Sequence, residues 1–204
     1  MASSGSRGRG YGLVLAPGAS AGPDQPALIA IDHAVSAIGV KVARVALPKG
    51  KAERAVPRAT EEVKALGLPD GKVFSGGRSF GGRVFSMAVA DGLPAAGLVL
   101  LSYPLHPPGK PDQLRTEHFG RLAVPCLFVS GTRDAFGKPE ELERAAALIP
   151  GPVTHVWVDG GDHGMRGKDD VVAEAVAGWL SDNTTACLSG GRQHLTPALR
   201  RLRG

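Results

Sequence analysis

Residues 72–91, K-V-F-S-G-G-R-S-F-G-G-R-V-F-S-M-A-V-A-D, decide the fold of this 204-residue chain. The apolar residues at the start of this stretch predict a short strand, and apolar residues at helical spacing predict a helix over Phe80–Ala90. Between the two lies a G-x-S-x-G motif with Ser79 at its centre. A strand, a tight turn and a helix around such a serine predict a nucleophile elbow, in which a strained backbone presents the hydroxyl to solvent.

The glycines on either side of the serine belong to the same prediction. Side chains at Gly77 and Gly81 would collide with the neighbouring strand and helix, so the motif needs residues without a Cβ there. A second G-x-S-x-G match occurs at residues 18–22, but prolines follow it closely and interrupt a helix. We therefore expect Ser79 at the elbow and the serine of the second match in a loop.

Short apolar segments alternate with helical patterns along the rest of the chain. The predicted strands are 11–16, 41–47, 73–74, 97–102, 125–130 and 153–158. The predicted helices are 26–38, 57–66, 80–90, 139–149 and 168–180. This alternation indicates an α/β fold with a mostly parallel sheet and helices on both faces. In such sheets ligands bind at the carboxyl ends of the strands.

Two further polar residues follow predicted strands, as Ser79 does. Asp134 lies in G-T-R-D-A-F-G after the fifth strand, and His163 lies in D-G-G-D-H-G-M after the sixth. A serine hydroxyl becomes nucleophilic when an imidazole takes its proton, and a carboxylate orients that imidazole and stabilises its charge. Because loops at one edge of a parallel sheet can bring such residues together, we predict a catalytic triad of Ser79, Asp134 and His163.

Other residues compete for these roles. Asp134 is also suited to cap the turn before the next helix. Asp162 directly precedes His163 and cannot easily reach its ring, and Asp159 fits a turn. The remaining histidines have no metal-ligand partner at a recognisable spacing, so the sequence predicts neither a metal site nor an organic cofactor.

Acyl transfer also needs hydrogen-bond donors for the oxyanion that forms in the reaction. The backbone N–H of the residue after the nucleophile, here Phe80, is expected to be one of them. The other is expected in the loop after the first strand, where Ala19 is the best candidate and Gly18 the next.

The net charge of +5 lies outside the predicted core. Two arginines in residues 1–10 give +2, and four arginines after Leu180 less Asp182 give +3. The part between them is therefore neutral overall and has no excess of positive charge for binding nucleic acid. We expect a disordered leader over residues 1–10, one domain over 11–181 and a basic, flexible tail over 182–204.

The sequence predicts neither membrane insertion nor secretion. No apolar run approaches the length of a membrane span, and the N-terminal residues lack the apolar region of a secretory signal. Two cysteines cannot form a disulfide framework; Cys126 is expected to pack in the core and Cys187 to lie in the tail. These features indicate a cytoplasmic protein without a membrane partner, and they leave its oligomeric state open.

Six segments carry a family resemblance: L-V-L-A-P-G-A-S, S-G-G-R-S-F-G-G-R, L-S-Y-P-L-H-P-P-G-K-P, L-R-T-E-H-F, V-S-G-T-R-D-A-F-G and G-G-D-H-G-M. Over residues 12–181 they resemble small α/β-hydrolases of the dienelactone-hydrolase-like type, a group that includes predicted bacterial hydrolases and the related domain of a chromatin-complex subunit. The resemblance implies an α/β-hydrolase fold, with Ser79 as nucleophile, Asp134 as acid and His163 as base.

Two positions depart from the pattern of that group. True dienelactone hydrolases have a cysteine where this chain has Ser79. Pro17 replaces the histidine of the usual H-G-A-G loop after the first strand, which affects the finer geometry of the oxyanion site.

The function expected from these residues is hydrolysis of a small carboxylic ester or thioester through an acyl-Ser79 intermediate. Residues 103–124 are too few for the helical cap of lidded lipases, so we expect a minimal fold without a cap domain and an open cleft. One wall of this cleft is expected to contain Tyr103, Leu105 and His106.

Three arginines adjoin the predicted triad segments, namely Arg78, Arg133 and Arg166. Arg78 is predicted to contact the substrate, and the three together would favour an anionic one. The alternative interpretation is that they are surface arginines or members of structural ion pairs.

Two other classes of function remain open at this point. A binding or scaffold protein can share the fold and carry an idle triad. A nucleotide-binding domain would use a glycine-rich stretch as a phosphate loop, but neither stretch matches a dinucleotide or P-loop motif. The residues do not determine the acyl group, the leaving group, or whether an ester, a thioester or a peptide bond is cleaved.

Overall fold

The structure is a computed structural model, and it describes residues 10–186 and 198–202. Its strands are β1 (Gly12–Ala16), β2 (Lys41–Arg44), β3 (Val73–Arg78), β4 (Gly97–Leu101), β5 (Cys126–Gly131), β6 (Val153–Val158) and β7 (Ala198–Leu202). Its helices are α1 (Pro26–Ala37), α2 (Ala52–Ala65), α3 (Phe80–Ala90), α4 (Pro139–Ala146) and α5 (Asp169–Ala186), and a 3₁₀ helix spans Phe119–Arg121.

The seven strands form one parallel sheet in the order β2-β1-β3-β4-β5-β6-β7. Every residue of β1, β4 and β5 is buried, which explains why these segments are almost entirely apolar, with Ser130 in β5 as the exception. The order changes direction between β1 and β3, because the chain first adds β2 on one side and then continues on the other. The parallel arrangement places the carboxyl ends of all seven strands at the same edge.

Helices cover both faces of the sheet, and each face has its own hydrophobic cluster. Helices α2, α3 and α4 contribute to one cluster, with Ala55, Phe85 and Leu142 among its buried residues. Helices α1 and α5 contribute to the other, with Ile31 and Val176 fully buried. The fold class predicted from the sequence, an α/β sheet with helices on both faces, is therefore confirmed.

The structure differs from the predicted elements in helix α2. The helix begins at Ala52, and Pro57 lies inside it instead of in its first turn. Ala52 and Ala55 are buried against the core and continue the apolar spacing one turn further back than predicted. This packing outweighs the backbone hydrogen bond that proline cannot donate.

The second difference concerns the end of the chain. The sequence predicts six strands, whereas the structure has a seventh, Ala198–Leu202, which pairs in parallel with β6. Helix α5 also extends to Ala186, beyond the predicted domain end at residue 181. The rest of the predicted tail, and all but the last residue of the predicted leader, lie outside the described residues.

The connection from β4 to β5 contains only the 3₁₀ helix Phe119–Arg121, so this connection inserts no cap domain over the carboxyl edge of the sheet. None of the helices within residues 10–186 is long and apolar enough to cross a membrane.

Candidate active site

Ser79 occupies the turn between β3 and α3, as the sequence predicts. Its backbone has φ 48° and ψ −107°, a region that residues with a side chain rarely adopt. Its N–H donates to the carbonyl of Leu101 on the neighbouring strand β4 at 2.8 Å. The sheet thus holds the strained turn in place, and the hydroxyl projects at the carboxyl edge.

The glycines of the elbow are required by the approach of β1. The register pairs Ala16 with Gly77. A Cβ at Gly77 or at Gly81 would overlap the carbonyl oxygen of Ala16 in each case. The prediction that both positions need glycine is confirmed, although both Cβ atoms would strike the same strand and not a strand and a helix.

Three side chains from separate loops form one hydrogen-bonded chain at this edge. The Ser79 hydroxyl lies 2.9 Å from His163 Nε2. The other ring nitrogen, Nδ1, lies 2.9 Å and 3.0 Å from the two carboxylate oxygens of Asp134. The structure therefore brings together the three residues that the sequence singled out from the ends of β3, β5 and β6.

Asp134 and His163 are held by further contacts. The Asp134 side chain is only 1% exposed, and its Oδ1 accepts a hydrogen bond from the Phe136 N–H at 2.8 Å. The ring of Phe136 stacks on the imidazole of His163 with the centroids 3.9 Å apart. These contacts fix the orientation of both groups before any ligand binds.

Asp162 and Asp159, the two alternative acids, form hydrogen bonds away from the His163 ring. The Asp162 carboxylate accepts from the Met165 N–H at 2.9 Å, and Asp159 lies 3.4 Å from the Thr132 hydroxyl. Both act within turns, as predicted for Asp159, and Asp162 forms no hydrogen bond with the His163 ring, as predicted for Asp162.

A cleft of about 380 Å³ opens over the Ser79 hydroxyl. It is lined by Gly18, Ala19, Ser20, Gly50, Arg78, Ser79, Phe80, Arg83, Pro104, Arg115, Phe136 and His163. All three predicted oxyanion-site residues are among them, so the first-strand loop and the start of α3 face the same space.

The N–H groups of this loop and helix differ in their availability. Phe80 is the first residue of α3, so its N–H has no partner within the helix. In the described part of the chain, no acceptor lies within hydrogen-bond distance of the Ala19 N–H. The Gly18 N–H faces the side-chain amide of Gln25 at 3.4 Å. With the oxygen of that amide turned toward Arg78, the amide offers Gly18 no acceptor. The ranking of Ala19 before Gly18 stays a prediction.

Arg78 lines the cleft, but its guanidinium is bound to the protein. It donates from Nη2 to the carbonyl oxygen of His163. The Gln25 amide, with its oxygen turned toward the guanidinium, accepts from Nη1 at 3.0 Å. Burial lowers the pKa of Arg78, and the negative charge of Asp134 opposes that shift. Arg78 therefore connects the His163 loop to the loop before α1, a role different from the predicted substrate contact.

The three residues predicted for the cleft wall lie in the interior instead, and Leu105 is fully buried. Tyr103 is 1% exposed; its ring packs against Phe119 and Phe128, and its hydroxyl donates to the carbonyl of Arg115 at 2.7 Å. His106 is also buried, with its ring nitrogens near the Pro107 carbonyl and Glu141. The prediction for all three residues is wrong, because the β4–β5 connection folds inward after Leu101 and buries its first side chains.

The arginines that line the cleft also differ from those predicted. Arg133 and Arg166 are exposed and lie outside it, whereas Arg83 and Arg115 are half-buried and line it. The position of Arg83 could have been found from the sequence, since it lies four residues after Ser79 on the predicted helix. No sequence signal marks Arg115, because its place depends on the path of the β4–β5 connection.

Comparisons with solved structures agree with this fold. Est1E from Butyrivibrio proteoclasticus is similar with a TM-score of 0.73 at 14% identity, covering 86% of this chain and 88% of that chain. A thermophilic esterase from Thermogutta terrifontis has a TM-score of 0.68 at 19% identity, covering 87% and 92%. A putative hydrolase of the alpha/beta superfamily from Xanthomonas campestris has a TM-score of 0.66 at 20% identity, covering 84% and 99%.

The sequence profile of the alpha/beta hydrolase domain matches residues 10–178, which is most of the chain. The match spans the elbow, both loops that carry Asp134 and His163, and all strands from β1 to β6. With its sheet order and its serine at the turn after β3, this chain belongs to the alpha/beta hydrolase domain family.

Proposed function

We propose that the protein is a serine hydrolase that cleaves a small carboxylic ester or thioester through an acyl-Ser79 intermediate. The observation that carries the proposal is the hydrogen-bonded chain from Asp134 through His163 to Ser79, which ends at an open cleft. Esterase-type hydrolysis also agrees with the family and with neighbours that are described as esterases.

The geometry supports a specific order of proton transfers. Asp134 can only accept at neutral pH, so the proton of the imidazole lies on Nδ1 and Nε2 is free to accept the Ser79 proton. As that proton moves to Nε2, the serine oxygen attacks the substrate carbonyl carbon. His163 then gives the proton to the leaving alcohol or thiol, and the acyl group stays on Ser79. Water attacks the acyl-enzyme in a second cycle of the same transfers.

The oxyanion formed in each half-reaction needs donors that are fixed in advance. The N–H groups of Phe80 and Ala19 are proposed to supply them, since both residues line the cleft and neither N–H is used by the described part of the chain. Both donors belong to the backbone, so the replacement of the usual histidine by Pro17 does not remove them.

The open cleft limits the class of substrate. Within residues 10–186 no cap domain encloses a long acyl chain, and about 380 Å³ suits a small acyl group and a small leaving group. The neighbour Est1E has also been solved with ferulic acid bound, which agrees with an ester of a small acid as substrate. The motifs quoted in the sequence analysis suggest, at a finer level, a place among dienelactone-hydrolase-like proteins.

A panel of esters and matched thioesters with increasing acyl length tests the proposal on the wild type and on Ser79→Ala. We expect the highest kcat/KM for short acyl groups and the loss of all enzyme-dependent hydrolysis in the variant. Equal rates in both proteins would remove the mechanism. If a serine-reactive fluorophosphonate fails to label Ser79, the fold serves binding without catalysis.

A further inference from the structure

The charge around the cleft is one-sided. Among the described residues, those that line the cleft include three arginines, Arg78, Arg83 and Arg115, together with His163, and no aspartate or glutamate. Asp134, the carboxylate of the proposed mechanism, is buried behind the imidazole of His163 and does not line the cleft. A cleft of this kind attracts anions because its low-dielectric walls strengthen the field of the guanidinium groups.

Arg83 is placed next to the elbow by the helix. It lies four residues after Ser79 on α3 and donates its backbone N–H to the Ser79 carbonyl at 3.1 Å. Side chains on a helix lean toward its N-terminus, so Arg83 leans toward the elbow. Its ion pair is with Glu53 at 3.2 Å, and because the Glu53 side chain is 58% exposed, that pair is weak.

Arg115 is held by hydrogen bonds that involve backbone groups and not by an ion pair with a carboxylate. Its carbonyl accepts from the Tyr103 hydroxyl, and its N–H donates to the Leu105 carbonyl at 2.9 Å. Its guanidinium donates from Nη1 to the Pro104 carbonyl at 3.2 Å. Within residues 10–186, no carboxylate lies within ion-pair distance of it.

The two guanidinium groups affect each other. Burial lowers the pKa of Arg115, and the positive charge of Arg83 lowers it further. Glu53 pairs with Arg83, and Glu117 acts on the charge of Arg115 only from beyond ion-pair distance, so no described carboxylate is bound to Arg115. A single carboxylate would neutralise its charge, and the planar fork of each guanidinium matches the two carboxylate oxygens.

We propose that Arg83 and Arg115 form a carboxylate-binding subsite, so that the preferred substrate is a small ester or thioester with a free carboxylate away from the reacting carbonyl. The subsite rests on the proposed hydrolase function and specifies its substrate class. Arg78, whose donors are bound to His163 and Gln25, positions the His163 loop and is not part of the subsite.

The test compares esters that differ only in charge. On the acyl side the pair is 4-nitrophenyl hydrogen adipate and its neutral methyl ester; on the alcohol side it is 4-acetoxybenzoate and methyl 4-acetoxybenzoate. We expect kcat/KM to be about tenfold or more higher for the charged member of at least one pair, because charge-assisted hydrogen bonds are the stronger ones. The pair that shows the preference identifies which half of the substrate lies against the arginines. The subsite is absent if neither pair shows it.

Variants assign the preference to the two residues. In Arg115→Gln and in Arg83→Gln we expect the ratio of charged to neutral kcat/KM to fall about tenfold. Arg115→Lys retains the charge without the fork and should lose less. The matched control is Arg121→Gln, since Arg121 is exposed, pairs with Asp91 and lies outside the cleft; its ratio should equal that of the wild type. A ratio that falls equally in Arg121→Gln would overturn the assignment.

The outcomes separate this inference from the proposed function. If neutral esters are hydrolysed through Ser79 without any charge preference, the hydrolase remains and the subsite is wrong. If no ester of either charge is hydrolysed and no fluorophosphonate reacts, the proposed function itself is wrong. Thermal unfolding of each arginine variant shows whether it is folded, and a preference lost in a folded variant is attributable to the missing guanidinium.

Discussion

Within residues 10–186 the structure has two serine–histidine pairs with nearly the same separation but different surroundings. Ser79 and His163 lie 2.9 Å apart at the carboxyl edge of the sheet, and Ser86 and His118 lie 2.8 Å apart beneath it. The side chain of His163 is 20% exposed to the cleft, whereas Ser86 and His118 are 0% and 5% exposed. Distance alone therefore does not distinguish a candidate nucleophile from a packed pair.

The direction of the hydrogen bonds does distinguish them. The Ser86 hydroxyl donates to the Arg83 carbonyl at 2.8 Å, so it accepts from His118, whose Nε2 carries the proton. A protonated Nε2 cannot take the proton of Ser86. At the other pair Asp134 accepts from Nδ1, which leaves Nε2 of His163 as the acceptor. The carboxylate, by fixing the tautomer, is therefore what would allow His163 to accept a proton from Ser79.

The largest expected effect comes from removing each serine in turn. Ser79→Ala should lose about 10⁴-fold or more in kcat and all fluorophosphonate labelling, since the nucleophile is gone. Ser86→Ala should be labelled as the wild type is and should retain most of its activity, because the Ser86 hydroxyl forms hydrogen bonds only within the core. Steady-state kinetics and mass spectrometry of the labelled protein measure both. Labelling that disappears in Ser86→Ala would break the comparison.

The next effect tests the orienting carboxylate. In Asp134→Asn we expect kcat to fall by about 10³–10⁴-fold with the fold retained, because the amide can hold His163 in the wrong tautomer. The matched change beside the other pair is Glu117→Gln. The Glu117 carboxylate is exposed and precedes His118, and its replacement should leave kcat unaffected. A fall of less than about tenfold in Asp134→Asn would mean that the carboxylate does not set the tautomer.

The third prediction concerns the backbone under each serine. Ser79 lies in a strained turn that depends on Gly81, whereas Ser86 lies within the regular helix α3. Gly81→Ala places a Cβ against the Ala16 carbonyl, so β1 and the elbow must separate at a cost of about 2–4 kcal/mol. Urea unfolding and kcat should both report the loss. Gly120→Ala is the control, since a Cβ there has no atom within 4 Å, and its unfolding midpoint should hardly change.

The smallest effect is on the pH dependence of stability. Burial, aided by the positive charge of Arg83, lowers the pKa of His118 to about 4. The unfolded chain therefore takes up a proton at this residue as the pH falls below about 6.5, while the folded protein does not. The wild type should lose roughly 2 kcal/mol of stability from this residue between pH 6.5 and 4.5.

His118→Gln should remove that part of the loss and give a shallower dependence of the free energy of unfolding on pH. Urea unfolding at pH 7.0, 5.5 and 4.5 measures it. His155, whose pKa is also lowered to about 4 by burial, retains its own contribution in the variant. The exposed His33 provides the control, and His33→Gln should follow the wild type. Identical slopes for His118→Gln and the wild type would contradict the prediction.

Much of the candidate site could be read from local patterns. The turn around Ser79, the positions of Asp134 and His163 after strands, and the glycines at the elbow all follow from a few neighbouring residues each. Helix α3 and strand β6 have the predicted bounds, since their apolar spacing is uninterrupted. The predictions failed where the outcome depended on distant packing, as at Tyr103, which the β4–β5 connection turns into the core.

The end of the chain shows the same limit. Strand β7 reads A-L-R-R-L, and its two arginines conceal the apolar run that would predict a strand. It joins the sheet because β6 offers it an unpaired edge. Such pairing depends on the neighbour and not on the segment itself.

Local patterns are enough to predict the fold class, the elbow and the three residues of the proposed triad, because strand and helix patterns, glycines at a tight turn and the ends of strands are all encoded over short distances. Only the folded chain shows which arginines border the cleft, which serine–histidine pair has a carboxylate behind it, and where the last strand pairs. Those features depend on contacts between residues far apart in the chain, and the folded path alone brings them within a few ångströms of one another.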